Sequence, residues 1–267
     1  MSFAALPAVT LHVREDGAAG PVVVLLHELG GGLHSFDAVS TALSSRFRVL
    51  RYDQRGAGMS EKPRRAFGLS AHVGDLTALL EARGIATPVL LVGVAAGAAV
   101  AIGYALARPG AVAGLVLCSP ALTVAADRRS YLADRSALAT QDGMRAVAEA
   151  TLLRSWPPHL RVDGALYADY LARFLGNDPV GYGHANLALA DADIEPRLGD
   201  VAVPCRVLAG RHDLLRPPTS VAAVASRIAG ATYDVAEDSG HLMSVQAPGA
   251  VVAAILALQH QIEGKFR

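Results

Sequence analysis

Short apolar runs punctuate the chain up to about residue 120 and again after about residue 198, and between them apolar residues return every three or four positions. The runs predict strands at 9–13, 22–26, 48–52, 89–92, 114–118, 205–209 and 232–235. The longer-period segments predict helices at about 36–45, 70–83, 96–107, 219–228 and 248–262, with Ser70 placed to cap the second and Pro248 in the first turn of the last. Strands and helices alternate, so the expected class is α/β, a largely parallel sheet covered by helices on both faces. From Pro120 to Arg197 the strand signal stops and only helical spacing remains, as in Met144, Val147, Leu152 and then Leu166, Tyr170, Phe174. This stretch reads as a helical insertion between two strands.

Composition narrows the partners. The chain's 267 residues suit one core, and its 24 Lys+Arg against 24 Asp+Glu leave no net field for nucleic acid or an anionic membrane. The apolar runs are far shorter than the roughly 20 residues a membrane-spanning helix needs. The N-terminal segment has no charged-then-apolar leader, so a cytoplasmic location is expected. Cys118 and Cys205 sit in strand-like settings and read as buried free thiols. Neither His-Glu-x-x-His nor a Cys/His cluster is present, and the glycine clusters lack the spacing of a phosphate or dinucleotide loop. No metal and no cofactor is expected. The partners expected are a small, roughly neutral substrate and, at most, a second copy of the chain as a homodimer.

The candidate chemistry lies where strands end. Val89–Val92 runs into Gly93-Val94-Ala95-Ala96-Gly97, the spacing of a sharp strand-to-helix turn whose flanking glycines avoid a clash. Arg51-Tyr52-Asp53-Gln54-Arg55-Gly56-Ala57-Gly58-Met59-Ser60, His27-Glu28-Leu29-Gly30-Gly31-Gly32, Gly210-Arg211-His212-Asp213 and Asp238-Ser239-Gly240-His241 each follow a strand in turn. In order and spacing these segments resemble the α/β-hydrolase family across essentially the whole chain. The match includes its D-x-R-G-x-G-x-S turn, its H-G-x-G oxyanion turn and its late acid and histidine. The string His241-Leu242 with Gln246-Ala247-Pro248, and Asp178-Pro179-Val180-Gly181-Tyr182 ahead of Ala190-Asp191-Ala192-Asp193, is similar to the 3-oxoadipate enol-lactonase branch. The tryptophan that follows the histidine in C–C bond hydrolases of the family is absent.

The resemblance implies an α/β-hydrolase fold with about eight strands, a core of residues 1–120 and 198–267, and a helical lid at 121–197. It places the nucleophile position at Ala95, which carries a methyl group and cannot attack a carbonyl. Asp213 and His241 would form the relay, and the amides of Leu29 and Ala96 the oxyanion hole, each donor being worth about 3–4 kcal/mol to an acyl-transfer transition state. Three readings of Ala95 stay open. It stands where a serine was replaced in an ester or enol-lactone hydrolase; or it is natural, with His241 as general base in a lyase, C–C bond hydrolase or non-covalent hydrolase; or the chain is a small-molecule binder.

Glu28 occupies the family's glycine position. It reads either as a second acid/base at the mouth of the site or as a carboxylate leaning to solvent or paired with an arginine. His27 is expected to hydrogen-bond its own turn. Asp53 and Arg55 are read as pins for their loop, His212 as a bystander, and Ser119 as a helix cap or a polar contact to the relay and no replacement nucleophile. Among the lid residues Trp156, Tyr167, Tyr170, Phe174 and Tyr182, Trp156 is expected to reach the pocket, with Tyr182 and His184 as further substrate contacts.

Overall fold

The structure, a computed structural model, describes residues 2–17, 19–85 and 88–264. The terminal positions 1 and 265–267 of the expected core therefore lie outside the described residues. An eight-stranded sheet forms the centre, in the order β1-β2-β4-β3-β5-β6-β7-β8. The strands are β1 (Ser2–Ala5), β2 (Thr10–Asp16), β3 (Val22–Leu26), β4 (Arg48–Tyr52), β5 (Val89–Val94), β6 (Val112–Cys118), β7 (Cys205–Gly210) and β8 (Thr232–Ala236). β1 and β2 form an antiparallel hairpin, β2 runs antiparallel to β4, and every later pairing is parallel.

β1 is absent from the expected strands. Only Ala4 of its residues is buried, so it has no apolar run to betray it; backbone pairing with β2 makes the strand. The expected cap at Ser70 also fails: α2 (Leu69–Ala82) has Gly68 at its N-cap with no side-chain bond, and Ser70 lies inside the first turn.

Successive strand residues face opposite sides of the sheet, and the two sides build separate clusters. Val24, Leu26, Leu91, Leu115 and Leu117 pack with Leu76 and Leu79 of α2, with α3 (Ala96–Ala107) and with Val221 of α8 (Pro218–Ala225). Val23, Leu25, Leu90, Val92 and Val116 pack with α1 (Asp37–Leu43) and with Val251, Ile255 and Leu258 of α10 (Pro248–Gly264). Cys118 and Cys205 are free and buried, and burial pushes both thiols up to about 12, so neither is a reactive thiolate.

Between β6 and β7 the chain leaves the sheet for α4 (Ala126–Asp142), α5 (Met144–Ser155), α6 (Gly164–Leu175) and α7 (Pro179–Ala190). These helices hold their own apolar cluster, built on Met144, Val147, Leu152, Trp156, Tyr170, Phe174 and Tyr182. Asp163 and Asp178 cap α6 and α7 through their side chains. A Cβ on Gly181 would lie 2.4 Å from the Gly56 oxygen, so the start of α7 seats directly on the loop after β4.

After β3 the chain turns to β4 on one side, then crosses to β5 on the other. Carboxyl ends at such a reversal leave a crevice between diverging connections, the usual ligand position in an open α/β sheet. The close approach there is enforced by small residues. A Cβ on Gly97 would sit 2.1 Å from the Leu26 oxygen, and one on Gly93 would sit 2.5 Å from both the Ala98 nitrogen and Cα. Gly97→Ala is expected to lower unfolding stability by about 2–3 kcal/mol, read as a shift of the urea midpoint; an unchanged midpoint would mean that α3 does not press on β3.

Candidate active site

β5 ends at Val94 and α3 starts at Ala96, leaving Ala95 alone to make the turn at φ 51°, ψ −112°. A non-glycine residue rarely adopts positive φ, and such strain costs about 1–3 kcal/mol. The turn is held by its backbone: Ala95 N–H donates to the Cys118 carbonyl at 2.9 Å, and Ala121 N–H donates to the Ala95 carbonyl at 3.2 Å. The strained conformation therefore persists without a hydroxyl to display.

Asp213 follows β7 and His241 follows β8, and they meet: Asp213 Oδ2 accepts from His241 Nδ1 at 2.8 Å. The amides of Leu215 and Arg216 both donate to Asp213 Oδ1 at 2.8 Å. Burial alone pushes the Asp213 carboxyl upward, but His241 and the Arg216 amide outweigh it and hold it below the usual carboxylate range. With Nδ1 committed to Asp213, only Nε2 of His241 is left for substrate. The loop is fixed by Gln246, whose Oε1 accepts from Gly240 N–H and Leu242 N–H at 3.0 Å each. Gly210 lets the loop approach, since a Cβ there would lie 2.1 Å from the Gly240 oxygen. Ser119, buried with φ 45°, favours the Asp213 carboxylate, although its Oγ reaches no partner within hydrogen-bond geometry.

Ala95, Ala96, Leu29, Glu28 and His241 line one cavity of about 410 Å³, large enough for a small organic ligand. Ala96 is the first residue of α3, where helical N–H groups have no partner in their own helix.

Among the described residues Glu28 neither leans to solvent nor pairs with an arginine, and it lines the cavity. It is 1% exposed, and its Oε1 accepts from Ser35 Oγ at 2.7 Å and from Tyr170 Oη at 2.9 Å. Its Oε2 is buried without a partner among the described residues. Gly31 is needed beneath it, because a Cβ there would sit 2.1 Å from Oε1. Burial and then the Glu28 carboxylate push the Tyr170 phenol far up, so it is a neutral donor. The turn is thus shaped around this carboxylate, and α6 supplies one of its donors.

His27 bonds its own turn as expected. Its Nδ1 donates to the Glu28 carbonyl at 2.7 Å and its Nε2 accepts from Gln54 N–H at 2.9 Å, so one neutral tautomer satisfies both contacts. Asp53 and Arg55 act as pins. Asp53 accepts from Leu33 N–H at 2.7 Å, Met59 N–H at 2.8 Å and His12 Nδ1 at 2.8 Å, while Arg55 clasps Asp75 in the interior. Burial pushes Asp53 up, but the two amides and the neighbouring histidines bring it below the ordinary range. His212 stacks edge-on against His159 at 4.7 Å, outside the cavity lining.

Trp156 does not line the cavity. It stands behind it, edge-on to Tyr167 and Tyr170, with Nε1 donating to the Leu160 carbonyl at 3.0 Å; Tyr170 and Phe174 take the wall position instead. His184 is also displaced, its Nδ1 at 3.3 Å from the Pro63 carbonyl and its ring against Phe67. Tyr182 lines a smaller side cavity shared with Glu28 and Leu29, and bonds Arg135 through its hydroxyl. The wall residues not foreseen include Arg128, Tyr131, Leu132 and Arg135 of α4, with Arg154 and Arg216. Their spacing was readable, since positions 128, 131, 132 and 135 share one helical face.

An eight-stranded, mostly parallel sheet with a strained strand-to-helix turn facing an Asp–His pair at its reversal point has the architecture of the α/β hydrolases. A family model described as the alpha/beta hydrolase fold matches residues 21–248, and the chain belongs to that family. Among its relatives is the RutD protein of Klebsiella pneumoniae, whose name provisionally assigns it carbamate hydrolysis. It is 31% identical over 239 residues, spanning 84% of this chain and 86% of that protein. Solved structures of similar fold include the enol-lactonase of Burkholderia xenovorans, with TM-score 0.90 and 28% identity over 97% of this chain and 100% of the other. A thermophilic esterase of Thermogutta terrifontis has TM-score 0.90 and 25% identity over 97% of both chains. The chain is a hydrolase-type member of the family. Among the described residues no helix is long and apolar enough to cross a membrane, and no group of three or more His, Cys, Asp or Glu is arranged to hold a metal.

Glu28→Ala would strand the Ser35 and Tyr170 hydroxyls in the interior, costing about 1–3 kcal/mol, whereas Glu28→Gln keeps an acceptor and costs less; equal urea midpoints for the two variants would contradict the assigned bonds. Asp213 and Asp53 both bind a proton more weakly folded than unfolded. Their contribution is therefore complete above the ordinary value of 3.8 and is lost as pH falls through the lower folded values. Between about pH 5 and about pH 3 the stability of the parent chain should fall more steeply than that of Asp53→Asn, and parallel curves would contradict this.

Proposed function

We propose that the chain hydrolyses an ester or enol-lactone of a small carbonyl compound by direct attack of water, without an acyl-enzyme. His241 Nε2 takes a proton from a water in the space a serine hydroxyl would fill, and the hydroxide so formed adds to the carbonyl carbon. The amides of Leu29 and Ala96 receive the developing oxyanion. His241, now protonated and stabilised by Asp213, returns its proton to the leaving oxygen as the tetrahedral adduct collapses. The helices α4–α7 form the lid over this reaction, and no cofactor takes part.

One observation carries this reading: a paired Asp213–His241 relay opens on the same cavity as Ala95, whose turn keeps its strained form. The buried, purpose-shaped setting of Glu28 supports an alanine that belongs to this site, since two departures from the family pattern then share one cavity. A second reading has its own support. The positive φ of Ala95 is the conformation that displays a serine, as expected if alanine stands in for a nucleophile and the chain holds substrate without turning it over.

The test is turnover of p-nitrophenyl acetate and of an enol-lactone by the chain, by His241→Ala and by Ala95→Ser. The proposal expects turnover by the chain and a loss of about a hundredfold or more in His241→Ala. Strong turnover confined to Ala95→Ser would favour the second reading. Binding with no turnover by either form would mark a binding protein.

A further inference from the structure

Elsewhere in this protein a buried arginine has its carboxylate. Arg51, 2% exposed, meets Asp16 and Asp37, and Arg55 meets Asp75. The cavity arginines differ in setting, Arg135, Arg154 and Arg216 being half-buried and Arg128 exposed. Arg128, Arg135, Arg154 and Arg216 all contribute to its wall, and among the described residues none of them is in an ion pair. Their polar contacts are to uncharged groups. Arg135 reaches the Tyr182 hydroxyl and lies 5.4 Å from that ring's centroid, while its Nε is buried with no partner. Arg154 makes one bond of 3.4 Å to the Leu214 carbonyl, and Arg216 donates to the carbonyls of Leu215 at 3.4 Å and Thr123 at 3.3 Å.

Two acids stand in the wall. Glu28 is held by Ser35 and Tyr170, and Glu195 pairs with Arg227 at 3.2 Å. Burial pushes the Arg135 and Arg216 guanidiniums down from their usual range; the Tyr131 hydroxyl works against this at Arg135, as do the Asp213 and Glu195 carboxylates at Arg216, and Arg154 adds to the lowering at both. Like charges gathered in a partly dry cavity are costly unless an anion enters to meet them.

We propose that the cavity selects a substrate carrying a carboxylate, bound by Arg135 with Arg154 and Arg216 while its reacting carbonyl lies at Ala95 and His241. Guanidinium suits this ligand because its fixed fork of N–H donors matches the two oxygens of a carboxylate. A neutral ester would leave the Nε of Arg135 unmet and the cluster without its counter-charge. The zero net charge of the chain conceals the site, since the surplus is local. This specificity rests on the hydrolytic reading, but carboxylate binding itself does not require turnover.

The test therefore has a binding arm and a kinetic arm. By titration calorimetry pimelate, a dicarboxylate, should bind, and its neutral diamide should not. Arg135→Met and Arg154→Met should each weaken pimelate by about tenfold or more, the loss expected for a charge-assisted bond. Arg154→Met guards against a folding failure in Arg135→Met, because Arg154 makes only the one long bond. In the kinetic arm, mono-4-nitrophenyl pimelate should exceed its methyl ester in kcat/KM by about tenfold or more, with the excess lost in both variants. No pimelate binding, or equal binding by parent and both variants, would overturn the carboxylate site. Pimelate binding with no turnover of either ester would leave the carboxylate site standing and count against the hydrolytic proposal alone.

Discussion

The site depends on how closely the start of α3 is pressed against the ends of β3 and β5. At Gly97 there is no room for a side chain beside the Leu26 carbonyl, and at Gly93 none beside the backbone of α3. That contact forces the chain to reverse in a single residue, and Ala95 absorbs the strain. It also brings Ala96 up against the turn after β3, so that two backbone segments distant in sequence line the same cavity wall. Remove the close approach and the relay histidine would face an open crevice. The side chain at position 95 is therefore a late detail of this geometry, and a methyl group there leaves the frame in place.

A second layer is built around the buried carboxylate of Glu28. Its supports come from three places: the missing Cβ of Gly31, the hydroxyl of Ser35 in the turn that follows, and the hydroxyl of Tyr170 on α6. Because Tyr170 belongs to the inserted helices, the carboxylate also ties the insertion to the sheet. Phe174 adds to this tie, since a Cβ on Gly30 would lie 2.6 Å from its ring. The cavity is consequently enclosed by elements that are fastened to one another near the reacting groups. Hydrogen bonds that join two elements in a low-dielectric setting restrict both, which suits a site that must hold a small ligand in one orientation.

Much of this was legible in the sequence wherever local chemistry fixes the outcome. The apolar runs marked β3 to β7 because both faces of those strands are largely buried, and Gly93 and Gly97 marked the turn because only glycine fits. Asp213 and His241 could be named because each follows a strand in the family's order. Features that depend on contacts between distant segments were hidden. β1 has too few buried residues to register, and Gly68 took the cap position from Ser70. Glu28 could not be placed because one of its donors lies 142 residues away. Trp156 was misplaced because an aromatic side chain in a helical insertion can face the cavity or the insertion's own cluster, and here it faces the cluster. The converging arginines come from α4, α5 and the loop after β7, and only the α4 pair carries a spacing that betrays a common face.

The central claim is that water reaches the carbonyl directly, with no covalent adduct on the chain. Rapid-quench mass spectrometry of the intact protein during turnover of a p-nitrophenyl ester tests it. Product should accumulate while the chain keeps its unmodified mass. An acyl increment on the chain during turnover, or no product at all, would contradict it.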